Sequence, residues 1–230
     1  MTDYHVLDLF CGLGGFSQAF ENSERWSVTT VDIEERFDPD IVADVFELRP
    51  SDFGQEFDVV LAGFPCELFS PARNITEGGD PAWDGDTPAT DESRNRVAML
   101  HHTIGLIEGL APAFWFIENP IGRMRSLLSH PTGTITQCQY GRGYQKPTDL
   151  FGEHPPMTYR RCAPGEDCHV TTGSYTADEP QPRLGVLEAS DDPAERAKLP
   201  AELSEQIRDA CEAALDGEVA EQATLGEVEA

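Results

Sequence analysis

A continuous apolar run, Val59-Val60-Leu61-Ala62, passes through Gly63 and Phe64 and stops at Pro65; the next residue is Cys66. An uninterrupted apolar run of this length has the character of a strand. Proline cannot donate to the ladder, so the chain leaves the sheet there and delivers a thiol to the strand's carboxyl end. In open α/β sheets that end is where ligands sit. A thiol held there by a rigid proline is a candidate nucleophile. Most free cysteines are inert core residues, so the neighbours of Cys66 must decide.

The amino terminus, His5-Val6-Leu7-Asp8-Leu9-Phe10-Cys11-Gly12-Leu13-Gly14-Gly15-Phe16-Ser17, reads as a buried strand and a glycine turn, then a helix to roughly Glu21. Glycines allow close backbone approach, and a helix start offers free N–H groups to an anion. The third glycine of a dinucleotide fingerprint is missing, since Ser17 stands there. Alone, this turn serves a structural role as readily as a binding one. A second strand, Ser27 to Asp32, ends in a carboxylate, where nucleoside-binding folds hold a ribose diol. Further strands are Ile41 to Asp44, Phe57 to Ala62, and Ala113 to Pro120, the last ending Glu118-Asn119-Pro120. A helix from Arg96 to Leu110 places Val97, Leu100, Ile104, Ile107 and Leu110 on one face. Strands alternating with helices argue for an α/β fold with a doubly wound, mostly parallel sheet.

Three segments in this order resemble the cytosine-C5 DNA methyltransferases. Asp8-Leu9-Phe10-Cys11-Gly12-Leu13-Gly14-Gly15-Phe16-Ser17 is similar to their first motif, Gly63-Phe64-Pro65-Cys66-Glu67-Leu68-Phe69-Ser70 to their Pro-Cys motif, and Ile117-Glu118-Asn119-Pro120 to their Glu-Asn motif. The likeness covers about residues 4 to 150. Gln137 to Arg142 and Lys146 to Leu150 are similar to short phage and archaeal forms. The resemblance implies a Rossmann-like, S-adenosylmethionine-dependent fold and an enzyme that methylates C5 of cytosine in DNA. Cys66 would add to C6 of the base, turning C5 into a nucleophile. Glu118 would hydrogen-bond or protonate N3, which requires a raised pKa. Asn119 would fix the loop or the base edge. Arg142 is the nearest equivalent of a family arginine that contacts the base; the usual Gln-x-Arg-x-Arg is not spelled out, and Lys146 shares the candidacy. For the cofactor, the resemblance implies contacts from Asp8, Phe10, Gly12, Gly14 and Pro65, with Asp32 on the ribose and Asp44 on the adenine amine. Other departures are Glu67 for glutamine, Pro120 for valine, and Ala197-Lys198 where Gly-Asn is common.

The implied partner is double-stranded DNA, whose target base must leave the stack to meet a thiol. The Gly-, Pro- and Asp-rich stretch Asn74 to Asn95 reads as a lid over that base, with Trp83 as a DNA contact or a passive surface residue. Residues 1–150 are expected to form the catalytic domain, 151–195 a reduced target-recognition region, 196–215 a closing helix with Leu203, Ile207, Cys211 and Leu215 as its apolar stripe, and 216–230 an acidic tail. No apolar run is long enough to span a membrane, and no signal-peptide pattern is present. The six scattered cysteines fit a reducing cytoplasm. Cys162, Cys168 and His169, with His154 or Cys138, could hold a structural zinc; the spacing is wider than usual and ordinary cysteines account for it, so no metal is assigned.

Charge is the unexpected property. The formal net charge is -26, from 42 acidic and 16 basic residues, and Lys146 and Lys198 are the only lysines. Duplex-binding proteins are normally basic. Either the chain does not bind DNA, or it works in molar salt, where charges are screened within roughly 3 Å. Retained arginine with almost no lysine fits the second reading, a halophilic host, with Arg73, Arg123, Arg125, Arg142, Arg160 and Arg161 as phosphate contacts. A DNA enzyme, alone or with a restriction or defence system, is the leading reading. The same chemistry on RNA or a nucleotide, and a non-catalytic cofactor-binding partner, are the alternatives. On the halophilic reading the chain keeps its fold and activity in concentrated potassium chloride; circular dichroism showing loss of structure there, with stability in dilute buffer, would remove it.

Overall fold

A computed structural model describes residues 3–70, 82–163, 166, 168 and 192–217. The strands are β1 (Tyr4–Leu9), β2 (Trp26–Asp32), β3 (Ile41–Val42), β4 (Val59–Gly63), β5 (Trp83–Asp84), β6 (Thr87–Pro88), β7 (Phe114–Pro120), β8 (Gly133–Thr136) and β9 (Pro147–Phe151). The helices are α1 (Gln18–Glu21), α2 (Asp91–Leu110), α3 (Met124–Leu128), α4 (Pro193–Ala197) and α5 (Ala201–Leu215). Seven strands form one sheet in the order β3-β2-β1-β4-β7-β9-β8. The pairs β1/β2, β1/β4, β2/β3 and β4/β7 are parallel, and β9 runs antiparallel to both its neighbours. This is the expected α/β class.

The apolar runs of β1 and β4 are explained by their central position. Alternate residues point to opposite faces. Leu7, Leu9, Val60, Ala62 and Ile117 join the core beneath α2, while Val6, Val59, Leu61 and Phe116 join the core beneath α5. The α5 stripe docks as its spacing requires, with Leu203, Ile207 and Cys211 fully buried. Ser204 fastens this helix to the glycine turn: its Oγ donates to the Phe16 carbonyl at 2.6 Å and accepts from the Ala19 N–H at 3.0 Å.

Two elements differ from their expected bounds. Helix α2 starts at Asp91, not near Arg96, because Thr90 and Ser93 form reciprocal caps (Ser93 N–H to Thr90 Oγ1, 3.2 Å; Thr90 N–H to Ser93 Oγ, 3.1 Å). The β5–β6 hairpin precedes it, so positions 82–95 of the expected lid are folded, while positions 71–81 lie outside the described residues. Helix α1 is only four residues long, because the backbone takes positive φ at Gly12 and Gly14 and becomes helical only after Ser17. The expected anion-binding helix start is therefore not built. Residues 151–163 leave β9 and pack back on the sheet: the Trp115 N–H donates to the Glu153 carbonyl at 2.8 Å, and the Thr136 N–H to the Arg160 carbonyl at 3.0 Å.

Asp8, at the centre of β1, is fully buried and accepts the Ser17 hydroxyl at 2.7 Å. It braces the turn from behind. Burial raises its carboxyl from an ordinary 3.8 to about 7, against the opposing Ser17 hydrogen bond. A raised acid pKa means that the folded chain keeps a proton the unfolded chain has already lost. Its contribution therefore becomes increasingly unfavourable as pH rises from about 4 to about 7, and is constant above that. Denaturant melts of Asp8→Asn should lack this component, so the variant loses less stability than the parent across that window.

Candidate active site

The order of the strands reverses at β1 and β4. Chain leaving β1 moves toward β2 and β3, whereas chain leaving β4 moves toward β7. A crevice opens where such connections diverge, and here it is a cleft of about 500 Å³ walled by both turns. On the β1 side stand Phe10, Cys11, Gly12, Leu13, Gly15 and Phe16. Phe10 is held at φ 59°, a left-handed conformation rare for a bulky residue; its ring meets Phe64 edge-on at 5.3 Å. Gly15 has a different constraint, since a Cβ there would lie 2.5 Å from the Leu199 backbone nitrogen and 2.6 Å from Lys198 Cγ. The segment before α5 thus packs directly on the turn, and Ala197, Lys198 and Leu199 complete that wall.

Asp32, ending β2, shapes the next part. Its Oδ2 accepts the Gly12 N–H and its Oδ1 the Glu34 N–H, both at 2.9 Å. One carboxylate thereby ties the β1 turn to the β2 turn. Beyond it the cleft continues into a smaller apolar pocket lined by Phe10, Asp32, Ile33, Asp44, Pro65 and Met99, among others. Ile33 is 63% exposed there, an aliphatic side chain without a core to enter. Asp44 caps the following turn, accepting the Phe46 N–H at 3.0 Å.

The other end holds a thiol, a carboxyl and an ammonium. Pro65 and Cys66 follow β4, and a tight turn forms at once, with the Phe69 and Ser70 N–H groups donating to the Cys66 carbonyl at 3.0 and 2.9 Å. Glu118 stands opposite Gly63 across the β4/β7 pair and is buried, with Oε1 unpartnered among the described atoms. Lys146, just before β9, is also buried and lines the cleft; its Nζ donates to the Arg196 carbonyl at 3.1 Å. Burial pushes the Cys66 thiol up to about 11, with the Lys146 charge pulling it down and Glu118 and Glu67 pushing it up. Burial likewise raises Glu118, with Lys146 opposing and Asp149 reinforcing. Asn119 points away from the cleft, fully buried, and its Nδ2 donates to the Phe64 carbonyl at 2.8 Å. It fastens β7 to the residue before the Pro-Cys pair.

Residues 4–138 match the family model for C-5 cytosine-specific DNA methylases. The chain belongs to that family. A Frog virus 3 (isolate Goorha) protein described as "Probable DNA (cytosine-5)-methyltransferase" is 33% identical over 174 residues, covering 71% of this chain and 77% of the viral one. Type II methyltransferase M.HaeII of Haemophilus aegyptius is 35% identical over 80 residues, which is 31% of this chain and 25% of that enzyme. Type II methyltransferase M.XorII of Xanthomonas oryzae pv. oryzae is 27% identical over 170 residues, 65% of this chain and 36% of that enzyme. This C-5 cytosine methylase thus spans most of the viral relative and a minor part of each type II enzyme.

Set against the sequence expectations for this methylase, Cys66, Glu118, Phe10, Gly12, Asp32 and Pro65 line the common cleft, and Asp44 its apolar extension. Gly14 shapes the turn at φ 66°, while its neighbours Leu13 and Gly15 do the lining. Asp8 sits behind the turn. Arg142 is displaced: Gly141 at φ 88° ends the turn Gln137–Tyr140 and sends the guanidinium to the Lys198 carbonyl, in a separate groove beside α5. Lys146 occupies the cleft instead. Trp83 is no surface contact, because its ring is 7% exposed in the core and its Nε1 donates to the Leu68 carbonyl at 3.0 Å.

Of the arginines expected on phosphate, Arg123, Arg125, Arg142 and Arg160 have internal partners, whereas Arg161 shows none among the described residues. Arg125 forks onto Asp149 at 2.6 and 2.7 Å, Arg160 pairs with Glu202 at 3.1 Å and lies 3.8 Å over the Tyr140 ring, and Arg123 reaches the Gly85 carbonyl. Arg73 and His169 lie outside the described residues. Ile33 and Arg96 line the site although no motif marked them, and Lys198 lines it from the position where Gly-Asn is common. A thiol held near 11 should be alkylated slowly by iodoacetamide at pH 7, with the rate rising roughly tenfold per pH unit toward about 11. Lys146→Met removes the one lowering charge from Lys146 and should slow the reaction further; peptide mapping of the Cys66 adduct reads both effects.

Proposed function

We propose that this methylase transfers a methyl group from S-adenosylmethionine to C5 of cytosine in double-stranded DNA, through a covalent bond between Cys66 and C6 of a flipped base. The observation that supports this most is the convergence of Cys66, Glu118 and Lys146 on the cleft that also contains the Phe10–Gly15 turn and Asp32. A thiol, a neutral carboxyl and a cation are what addition to a cytosine ring requires. S-adenosylmethionine would contribute an electrophilic methyl on a sulfonium. The donor set fits it: carboxylates Asp32 and Asp44 for hydroxyl and amine, exposed Ile33 for a purine face, and an open turn at Gly12.

The protein's own groups divide the work. Cys66 forms a bond to C6, and the electron pair of the C5–C6 double bond becomes available at C5 as charge moves toward N3 and O2. Glu118, whose carboxyl burial shifts toward the protonated form, donates to N3 and limits that charge. Lys146 stabilises the thiolate before addition and the anionic ring after it. Asn119 holds the Phe64 carbonyl, so the Pro-Cys turn meets the base at one height. After C5 had taken the methyl group, with the neutral thioether as leaving group, loss of the C5 proton to solvent would let the C6–S bond break and return the thiolate. Within 151–195 a small recognition region would read the DNA, and the type II relatives suggest a restriction-modification setting. A cytoplasmic location in a halophilic cell accounts for the acidic surface.

The test is methyl transfer from labelled S-adenosylmethionine to duplex DNA in molar potassium chloride. Label should appear as 5-methylcytosine, vanish in Cys66→Ser, and fall on the order of 10²–10⁴-fold in Glu118→Gln. A folded protein that binds the cofactor but labels only RNA or nucleotides would overturn the DNA assignment.

A further inference from the structure

Cys138 lies 24 and 30 residues before Cys162 and Cys168, yet the three sulfurs all lie within 4.8 Å of one another. Cys168 Sγ is 3.6 Å from Cys138 Sγ and 3.3 Å from Cys162 Sγ. None of the three is in a disulfide, and these separations are far beyond the roughly 2.05 Å of a sulfur–sulfur bond. They match another arrangement. Two thiolates bound to one tetrahedral zinc at about 2.3 Å stand about 3.8 Å apart.

The cluster sits on ordered supports. Cys138 is buried in the turn Gln137–Tyr140 that follows β8. Cys162 is brought beside it by a short pairing with the end of β8: the Cys162 N–H donates to Thr136 Oγ1 at 3.2 Å, and the Thr136 N–H donates to the Arg160 carbonyl at 3.0 Å. The Arg160 N–H also donates to the Tyr140 hydroxyl at 3.2 Å. The Glu166 N–H donates to the Ala163 carbonyl at 3.3 Å, and Cys168 stands beside the other two sulfurs. His154, the other residue weighed with these cysteines, is elsewhere; its ring stacks on Phe116 at 4.3 Å.

We propose that Cys138, Cys162 and Cys168 bind a structural zinc ion that clips the segment leaving the catalytic sheet to the turn after β8. The Glu166 carboxylate, 3.8 Å from Cys168 Sγ and held by Gln139 Nε2 at 2.6 Å, is a described candidate for the fourth corner. The physical need is plain. Residues 160–168 have few apolar side chains to bury, and small units without a core are commonly stapled by metal. The ion ties Cys162 and Cys168 to the turn after β8.

Elemental analysis of the full-length protein, purified under reducing conditions in molar potassium chloride, should find about one zinc per chain. Cys162→Ser and Cys168→Ser should lose it, and Cys66→Ser should keep it. Metal content does not depend on methyl transfer, so this result stands apart from the fate of the proposed activity. If the serine variants do not fold, the unaltered chain loaded with cobalt(II) decides: a tetrahedral site with thiolate ligands gives intense visible bands and thiolate-to-cobalt charge transfer. A zinc-free protein whose melting temperature is unchanged by added zinc would overturn the proposal. So would a Cys162–Cys168 disulfide in the isolated chain, zinc retained by both serine variants, or a cobalt spectrum without thiolate charge transfer.

Discussion

The parallel pairing of β1 with β4 is the constraint on which the rest depends. It aligns Leu9 with Ala62, so that the chain beyond each strand emerges at the same edge of the sheet. The Gly63 Cα then faces the Phe10 carbonyl, with a Cβ at Gly63 falling 3.6 Å from that oxygen. Two turns that are fifty residues apart in sequence become the two walls of one cleft. A shift of one residue in this register would reverse every side chain of β4 between the two cores and carry Cys66 off the wall it occupies. Burial of both faces makes such a slip costly, which is how an apolar core comes to hold the Cys66 thiol in place.

Electrostatics inside the cleft run against the rest of the molecule. The chain carries a net charge of -26 and only two lysines, and both of them line this cleft. Lys146 is the more consequential, because it is buried near a thiol and a carboxyl that burial alone would keep neutral. A buried ammonium is tolerated only with partners, and the Arg196 carbonyl supplies one. The arginines are used differently. Arg125 with Asp149, Arg160 with Glu202 and Tyr140, and Arg25 with Asp216 are ties between elements. Arginine serves there as a multidentate clamp, which lysine cannot imitate.

Segments whose role is local were legible in the sequence. The Pro-Cys exit, the acid ending β2 and the Glu-Asn end of β7 each follow from an apolar run that stops, because a buried strand must stop where the sheet stops. The α5 stripe was legible for the same reason. Misreadings arose where a distant partner decides. Trp83 sits in a polar stretch, yet the Leu68 carbonyl and the core beside Phe69 capture it. Arg142 resembles a site residue until the left-handed Gly141 turns it toward Lys198. Asp8 belongs to the most recognisable motif, but the central strand that makes the motif also buries it.

By itself the sequence determined the fold class and the family, along with the thiol and the carboxyl at the strand ends, since periodicity and strand termination are properties of neighbouring residues. Only the tertiary structure decided that the cation beside them is Lys146, that Asn119 donates to the Phe64 carbonyl, and that Cys138 meets Cys162 and Cys168, which lie 24 and 30 positions further along the chain. Those outcomes depend on β9 inserting antiparallel between β7 and β8 and on residues 158–162 folding back along β8. Such long-range pairings are set by the balance of the whole core, and no window of local sequence contains it.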